Sequence, residues 1–118
     1  MKLNQPVPEL PVVDVEGAQE YYRDVLGCEI EWTYPGKEVG AVSSGETAIF
    51  FRRREGGFEP SVHWIYSDEV DSLYNHLKTK GALIVEPIED KPWGLRQFTI
   101  ADNDGNQFHI HQDIAVVR

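Results

Sequence analysis

The amino-acid sequence predicts an α+β fold in which two βαβββ repeats build a curved mixed sheet, and three observations predict it. Residues 97–101 and 107–111 alternate in polarity as half-buried strands do, with Phe98, Ile100, Phe108 and Ile110 on one side and Gln97, Thr99, Gln107, His109 and His111 on the other. Two other segments carry apolar residues at helical spacing and stop at a glycine: Val15, Ala18, Tyr21, Tyr22, Val25 and Leu26 before Gly27, then Val70, Leu73, Tyr74 and Leu77 before Gly81. Asp14 and Gly27 recur as Asp68 and Gly81, each 54 residues on (68 − 14 and 81 − 27), which is the mark of an internal duplication.

Repeat one spans about 5–54 and repeat two about 60–113, within one domain of 1–118. The first opens on an extended segment, 5–13, whose Pro6, Pro8 and Pro11 confine it to a sheet edge. Asp14 stands where a helix needs an N-cap, and Gly27 stands where the chain must turn left-handed to leave it. Strands are expected over 29–33, 39–43 and 47–52, divided by Pro35-Gly36 and Ser44-Gly45, and a Gly-rich loop at 55–60 closes the unit. The second repeat follows with a strand at 61–66, a helix at 68–80, a strand at 82–85 and the two alternating strands. Between these last two, Asp102-Asn103-Asp104-Gly105-Asn106 supplies residues that tolerate left-handed backbone and bond their own main chain, so the run is a hairpin turn.

Composition excludes several function classes. Twenty acidic residues against 11 basic ones give a net charge of -9, which repels phosphate backbones and anionic lipid and favours cationic or neutral small molecules. No apolar run approaches the ~20 residues of a membrane span, and the one cysteine, Cys28, has no partner for an internal disulfide, so a cytoplasmic protein is expected. Cys28 also lacks a neighbouring histidine and reads as an inert thiol. There is no spaced nucleophile motif or phosphate-binding glycine loop, and no residue is given a catalytic role.

The segments 8–14, 20–27, 70–74, 92–98 (PWGLRQF) and 102–106 (DNDGN), in that order and spacing, resemble the glyoxalase/bleomycin-resistance (vicinal oxygen chelate) superfamily over nearly the whole chain. The PWG-x-R-x-F segment followed by D-x-DGN is most similar to the bleomycin-resistance branch, small proteins that sequester a cationic glycopeptide antibiotic without altering it. Because one fold hosts several activities, the resemblance implies the fold more strongly than the function. Enzymes of the family hold a divalent metal on the inner sheet face. The corresponding positions here are Val7, Val62 and His109, of which only the last can bind a metal; Glu9 or His63 would require a shifted register, and His63 then projects to the opposite face. No metal and no other cofactor is therefore expected.

The resemblance also implies which rings line a cleft. Val62, Trp64 and Tyr66 share the strand face that looks into it, Trp32 falls in the second strand, and Trp93 with Gly94 sits in the PWG loop. The expected ligand contacts are Trp32, Phe51, Trp64, Tyr66, Trp93, Gly94 and His109, with Glu31, Glu38 and Asp113 attracting a cationic tail. Tyr21, Tyr22 and Tyr74 read as helix packing, His76 as a surface residue, and His111 as a solvated or hydrogen-bonded one. The expected partner is a cationic or aromatic small molecule such as a bleomycin-type glycopeptide, bound by a homodimer. The alternative is a metal-dependent lyase, isomerase or dioxygenase.

Overall fold

The structure, a computed structural model, describes residues 2–114. The chain forms two compact units, Met1–Glu59 and Pro60–Arg118, close to the predicted repeats. In the first, β1 (Glu9–Val12), α1 (Val15–Asp24), β2 (Glu29–Thr33), β3 (Val39–Ser44) and β4 (Thr47–Arg53) build a sheet of order β1-β4-β3-β2. In the second, β5 (Val62–Tyr66), α2 (Val70–Thr79), β6 (Leu83–Asp90), β7 (Leu95–Ala101) and β8 (Gln107–Asp113) build one of order β5-β8-β7-β6. The order is the same in both, and each sheet is mixed, with a parallel first pair (β1 with β4, β5 with β8) and antiparallel pairs elsewhere. Both the duplication and the α+β class thus hold.

Register irregularities bend the edge strands. One falls between Ile30 and Trp32 in β2, and two fall in β6, between Ile84 and Glu86 and between Glu86 and Glu89. The second of these carries Pro87 past a position where the ladder would need its missing N–H, which is how β6 runs on to Asp90 instead of ending at 85. At the opposite edge of the first unit, β1 keeps Pro11 in the strand, while Pro6 and Pro8 precede it.

Each helix buries its stripe on one side of its own sheet. Val15, Ala18 and Tyr22 of α1 are buried with Leu10, Val12, Val42 and Phe51, and Tyr22 meets Phe51 edge-on at 4.7 Å between ring centroids. Gly40 of β3 lets α1 approach: a Cβ there would stand 2.6 Å from Val15 Cγ1. Gln19, nearly fully buried in the same helix, donates from Nε2 to the Trp32 carbonyl (2.9 Å) and the Ala41 carbonyl (3.3 Å) and accepts from the Thr33 hydroxyl, tying α1 to β2 and β3 beside the bulge. In the second unit Val70 and Leu77 of α2 are buried, and Tyr74 meets Phe98 at 5.0 Å. Among the described residues no helix is long and apolar enough to cross a membrane.

Asp14 occupies the expected N-cap position of α1 but makes no side-chain capping bond, and α2 starts at Val70 with Glu69 as its N-cap, two residues later than the expected start at 68. Gln112 of β8 caps α2 instead, its Oε1 accepting from Val70 N–H (3.1 Å) and its Nε2 donating to the Asp68 carbonyl (3.0 Å). The glycine stops hold: φ is 75° at Gly27 and 87° at Gly81. At Gly81 the N–H groups of Gly81 and Ala82 return to the carbonyls of Lys78 and Leu77, a Schellman ending. A Cβ would meet nothing within 4 Å at either glycine, so alanine there incurs only the left-handed penalty. Gly27→Ala and Gly81→Ala are each expected to lower stability by about 1 kcal/mol, while His76→Ala, on an exposed face of α2, stays near zero. Urea titrations showing equal losses at Gly27 and His76 would contradict the helix end.

Candidate functional site

In the second unit, α2 covers the side of the sheet that carries Phe98, Ile100, Phe108 and Ile110. Strand alternation sends Val62, Trp64, Tyr66, His109, His111, Gln97 and Thr99 to the other side. The cross-strand rows there run Trp64–His109–Thr99–Glu86 and Tyr66–His111–Gln97–Glu89. Trp64 is 54% exposed, Tyr66 57% and Trp93 59%, unusual values for such large rings within one small unit.

These rings rest on ordered polar groups. The Trp64 ring lies 4.5 Å from that of His109 and 5.7 Å from that of His111, and Tyr66 lies 5.9 Å from His111. His109 Nδ1 is 2.7 Å from the Thr99 hydroxyl, and Thr99 is buried, so the imidazole is held from beneath. Trp93 is presented by the turn between β6 and β7, where Gly94 takes φ 87° and its N–H returns to the Lys91 carbonyl. The indole N–H of Trp93 donates to Gln97 Oε1 (2.9 Å), fixing both side chains. Lys91 Nζ lies 5.7 Å from the centre of the Trp93 ring while bonding Glu89 and Glu86, and these partners, Glu89 first, raise its pKa. Gly94 thus serves to position Trp93.

Unit one has a smaller counterpart. On the side away from α1, one row runs Trp32–Ala41–Phe50–Glu9, and Trp32, 44% exposed, meets Phe50 edge-on at 5.1 Å. Phe51 is the correction. It is fully buried against Tyr22 on the α1 side, so it is core and not a ligand contact. Its neighbour Phe50 takes the place expected of it, since consecutive strand residues face opposite ways.

The expected acids divide. Glu31 accepts from the Ser43 hydroxyl (3.0 Å), Ser43 alternating with Val42 onto the Trp32 side, and Asp113 alternates with Gln112 onto the side of His109 and His111. Glu38 instead faces Arg53 at 3.9 Å.

His111 is the residue that sequence reasoning missed. Far from being merely solvated or hydrogen-bonded, it sits between Trp64 and Tyr66 with its Nδ1 buried and, among the described residues, without a partner. Its place two residues after His109, on the same side of one strand, was the available signal.

The donor set does not fit the family's metal. Val7 and Val62 offer hydrocarbon, which leaves His109, with its Nδ1 bonded to the Thr99 hydroxyl and its other ring nitrogen unbonded among the described residues, as the one possible ligand at the three family positions. Glu9 is engaged by Arg52 (2.8 Å) and Arg54 (3.7 Å). His63 pairs with Phe108 in register on the α2 side, bonds the Ser61 hydroxyl (2.9 Å), and has its pKa lowered by burial. Among the described residues no three His, Cys, Asp or Glu side chains stand close enough together to hold a metal ion.

Comparison with known proteins agrees with this geometry at the level of the fold. No curated protein matches the chain. Among solved structures it is similar to TioX from Micromonospora sp. ML1 (TM-score 0.80, 24% identity, 94% of this chain and 100% of that one). It is likewise similar to the bleomycin-binding protein from bleomycin-producing Streptomyces verticillus, solved with copper(II)-bleomycin (TM-score 0.80, 23% identity, 93% and 96%). A lactoylglutathione lyase from Agrobacterium tumefaciens is also close in shape (TM-score 0.76, 19% identity, 94% and 95%), so the likeness extends to proteins of different activity. The profile of one family matches residues 2–110, and the chain belongs to that family, the Glyoxalase/Bleomycin resistance protein/Dioxygenase superfamily.

Proposed function

We propose that the chain is a binding protein that sequesters, without altering it, a cationic small molecule with a flat aromatic part, of the bleomycin-glycopeptide kind. The observation that carries this is the set of exposed rings, Trp64, Tyr66 and Trp93, held over His109, His111, Thr99 and Gln97 on one side of a sheet. Large rings left in water are costly unless something covers them, and indole faces attract both planar rings and cations. The net charge of -9 favours a positively charged ligand over an anionic one. A metal-dependent lyase, isomerase or dioxygenase reading lacks the donors, because only His109 among the family's ligand positions could bind a metal.

The binding unit in this reading is a homodimer, cytoplasmic, with two equivalent clefts to which both chains contribute. The edge position of β1 and the three prolines at or before it support an exchangeable first strand. Titration with metal-free bleomycin is expected to quench tryptophan fluorescence at one site per chain, with an affinity that weakens as salt rises. Sedimentation should show a dimer that is lost, together with binding, when residues 1–11 are deleted. A monomer that binds at full strength would overturn the shared cleft. About one tightly held metal per chain after purification without chelator, lost in His109→Ala, would overturn the metal-free reading.

A further inference from the structure

We propose that β8 gives the aromatic side of the second unit two imidazole N–H donors beside Trp64, and that these select a planar aromatic ligand bearing two hydrogen-bond acceptors. The inference rests on the aromatic-cation reading and names the polar chemistry within it.

Hydrogen-bond bookkeeping assigns both protons. Thr99 is buried, and among the described residues its hydroxyl makes one hydrogen bond, to His109 Nδ1 at 2.7 Å. A buried hydroxyl proton needs an acceptor, so Thr99 donates, His109 Nδ1 accepts, and the His109 proton is on Nε2. His111 Nδ1 is buried with no partner. A proton there would be an orphaned buried donor, rarer in folded proteins than an orphaned acceptor, so His111 also carries its proton on Nε2. Among the described residues His111 Nδ1 is the only buried side-chain nitrogen or oxygen without a partner, so both Nε2 atoms, which bond nothing, reach the surface.

Geometry makes the two donors a pair. His109 and His111 lie on one side of β8, one strand repeat or about 7 Å apart, and the Trp64 ring is 4.5 Å from one and 5.7 Å from the other. Gln97, beside His111 in register, has its oxygen taken by Trp93, which leaves its NH2 as a further donor. The nearby carboxylates of Glu86 and Glu89 are engaged by Lys91. The side therefore offers a row of donors next to an indole platform, and its complement is a flat ring with acceptors along its edge, such as an aromatic dione.

A matched pair of probes tests this: anthraquinonylmethyl-trimethylammonium, and its anthracene counterpart with the same charge and ring outline but no carbonyls. Calorimetric titration of the intact protein should show the quinone binding about tenfold tighter, against the hydrophobic trend, since one or two net hydrogen bonds are worth about that much. His109→Phe and His111→Phe should each shrink the quinone-to-anthracene ratio severalfold, and His111→Gln, which keeps an N–H, should restore part of it. Binding of the anthracene cation with no preference for the quinone, or a ratio unmoved in both Phe variants, would overturn the two-donor proposal and leave the aromatic-cation reading standing. Failure of both probes to bind would overturn both. The wild-type ratio needs no variant, so a misfolded mutant cannot hide the answer.

Discussion

Asn106→Ala is expected to lower stability by about 4 kcal/mol, a large share of the roughly 5–15 kcal/mol that holds a typical domain together. Asn106 is fully buried at the end of the β7–β8 turn. Its Oδ1 accepts from the Ser61 N–H (2.9 Å) and the Ser61 hydroxyl (3.0 Å), and its Nδ2 donates to Asp102 Oδ2 (3.1 Å). Asp102 in turn accepts at Oδ1 from the N–H groups of Asp104 and Asn106, so one side chain links the hairpin turn to the start of β5. The Ser61 hydroxyl also meets His63 Nε2, which extends the chain of bonds onto the α2 side. Alanine would leave a backbone donor, a hydroxyl and part of a buried carboxylate without that partner, each costing about 1–3 kcal/mol. With a urea slope of about 1.5 kcal/mol per M, the midpoint should fall by more than about 2 M. Asn103→Ala, at an exposed position of the same turn, should shift it little. Equal midpoints for the two variants would show that the Asn106 network contributes nothing.

Much of the fold was legible because its signals are local and periodic. The alternation in β7 and β8, the two glycine stops and the DNDGN turn all depend on residues close in sequence. Failures came where the deciding partner is distant or the pattern has no contrast. Ile49-Phe50-Phe51 is apolar throughout, so alternation could not say which phenylalanine faces α1; the register with β1 and β3 decides it. The cap of α2 comes from Gln112, 42 residues after Val70, beyond the reach of any local rule. Gln19 looks like a surface residue of an amphipathic helix, and only the carbonyls it meets in β2 and β3 explain its burial. For the candidate site, the exposure of Trp32, Trp64, Tyr66 and Trp93 followed from the family resemblance, since the sequence alone cannot separate a ring that fills a core from one that lines a cleft.

Trp64→Ala is expected to weaken binding of metal-free bleomycin by about 30- to 100-fold, or about 2–3 kcal/mol, while changing stability far less than Asn106→Ala does. Trp64 is the ring most closely surrounded on its side of the sheet, with His109 at 4.5 Å and His111 at 5.7 Å, yet more than half of it faces water. A side chain in that position contributes little to the core when the ligand is absent. When a flat ligand covers it, the ring surrenders its remaining water and gains stacking and cation–π attraction together, which is how a few aromatic residues come to dominate an interface. Trp64→Phe should recover part of the loss, because a smaller ring keeps the face but not the area. Since the substitution removes a fluorophore, calorimetry is the appropriate measurement, with a urea titration to establish that the variant is folded. A folded Trp64→Ala protein that binds within about twofold of the wild type would remove this side of the sheet from the binding site, and with it the observation on which the proposed function stands.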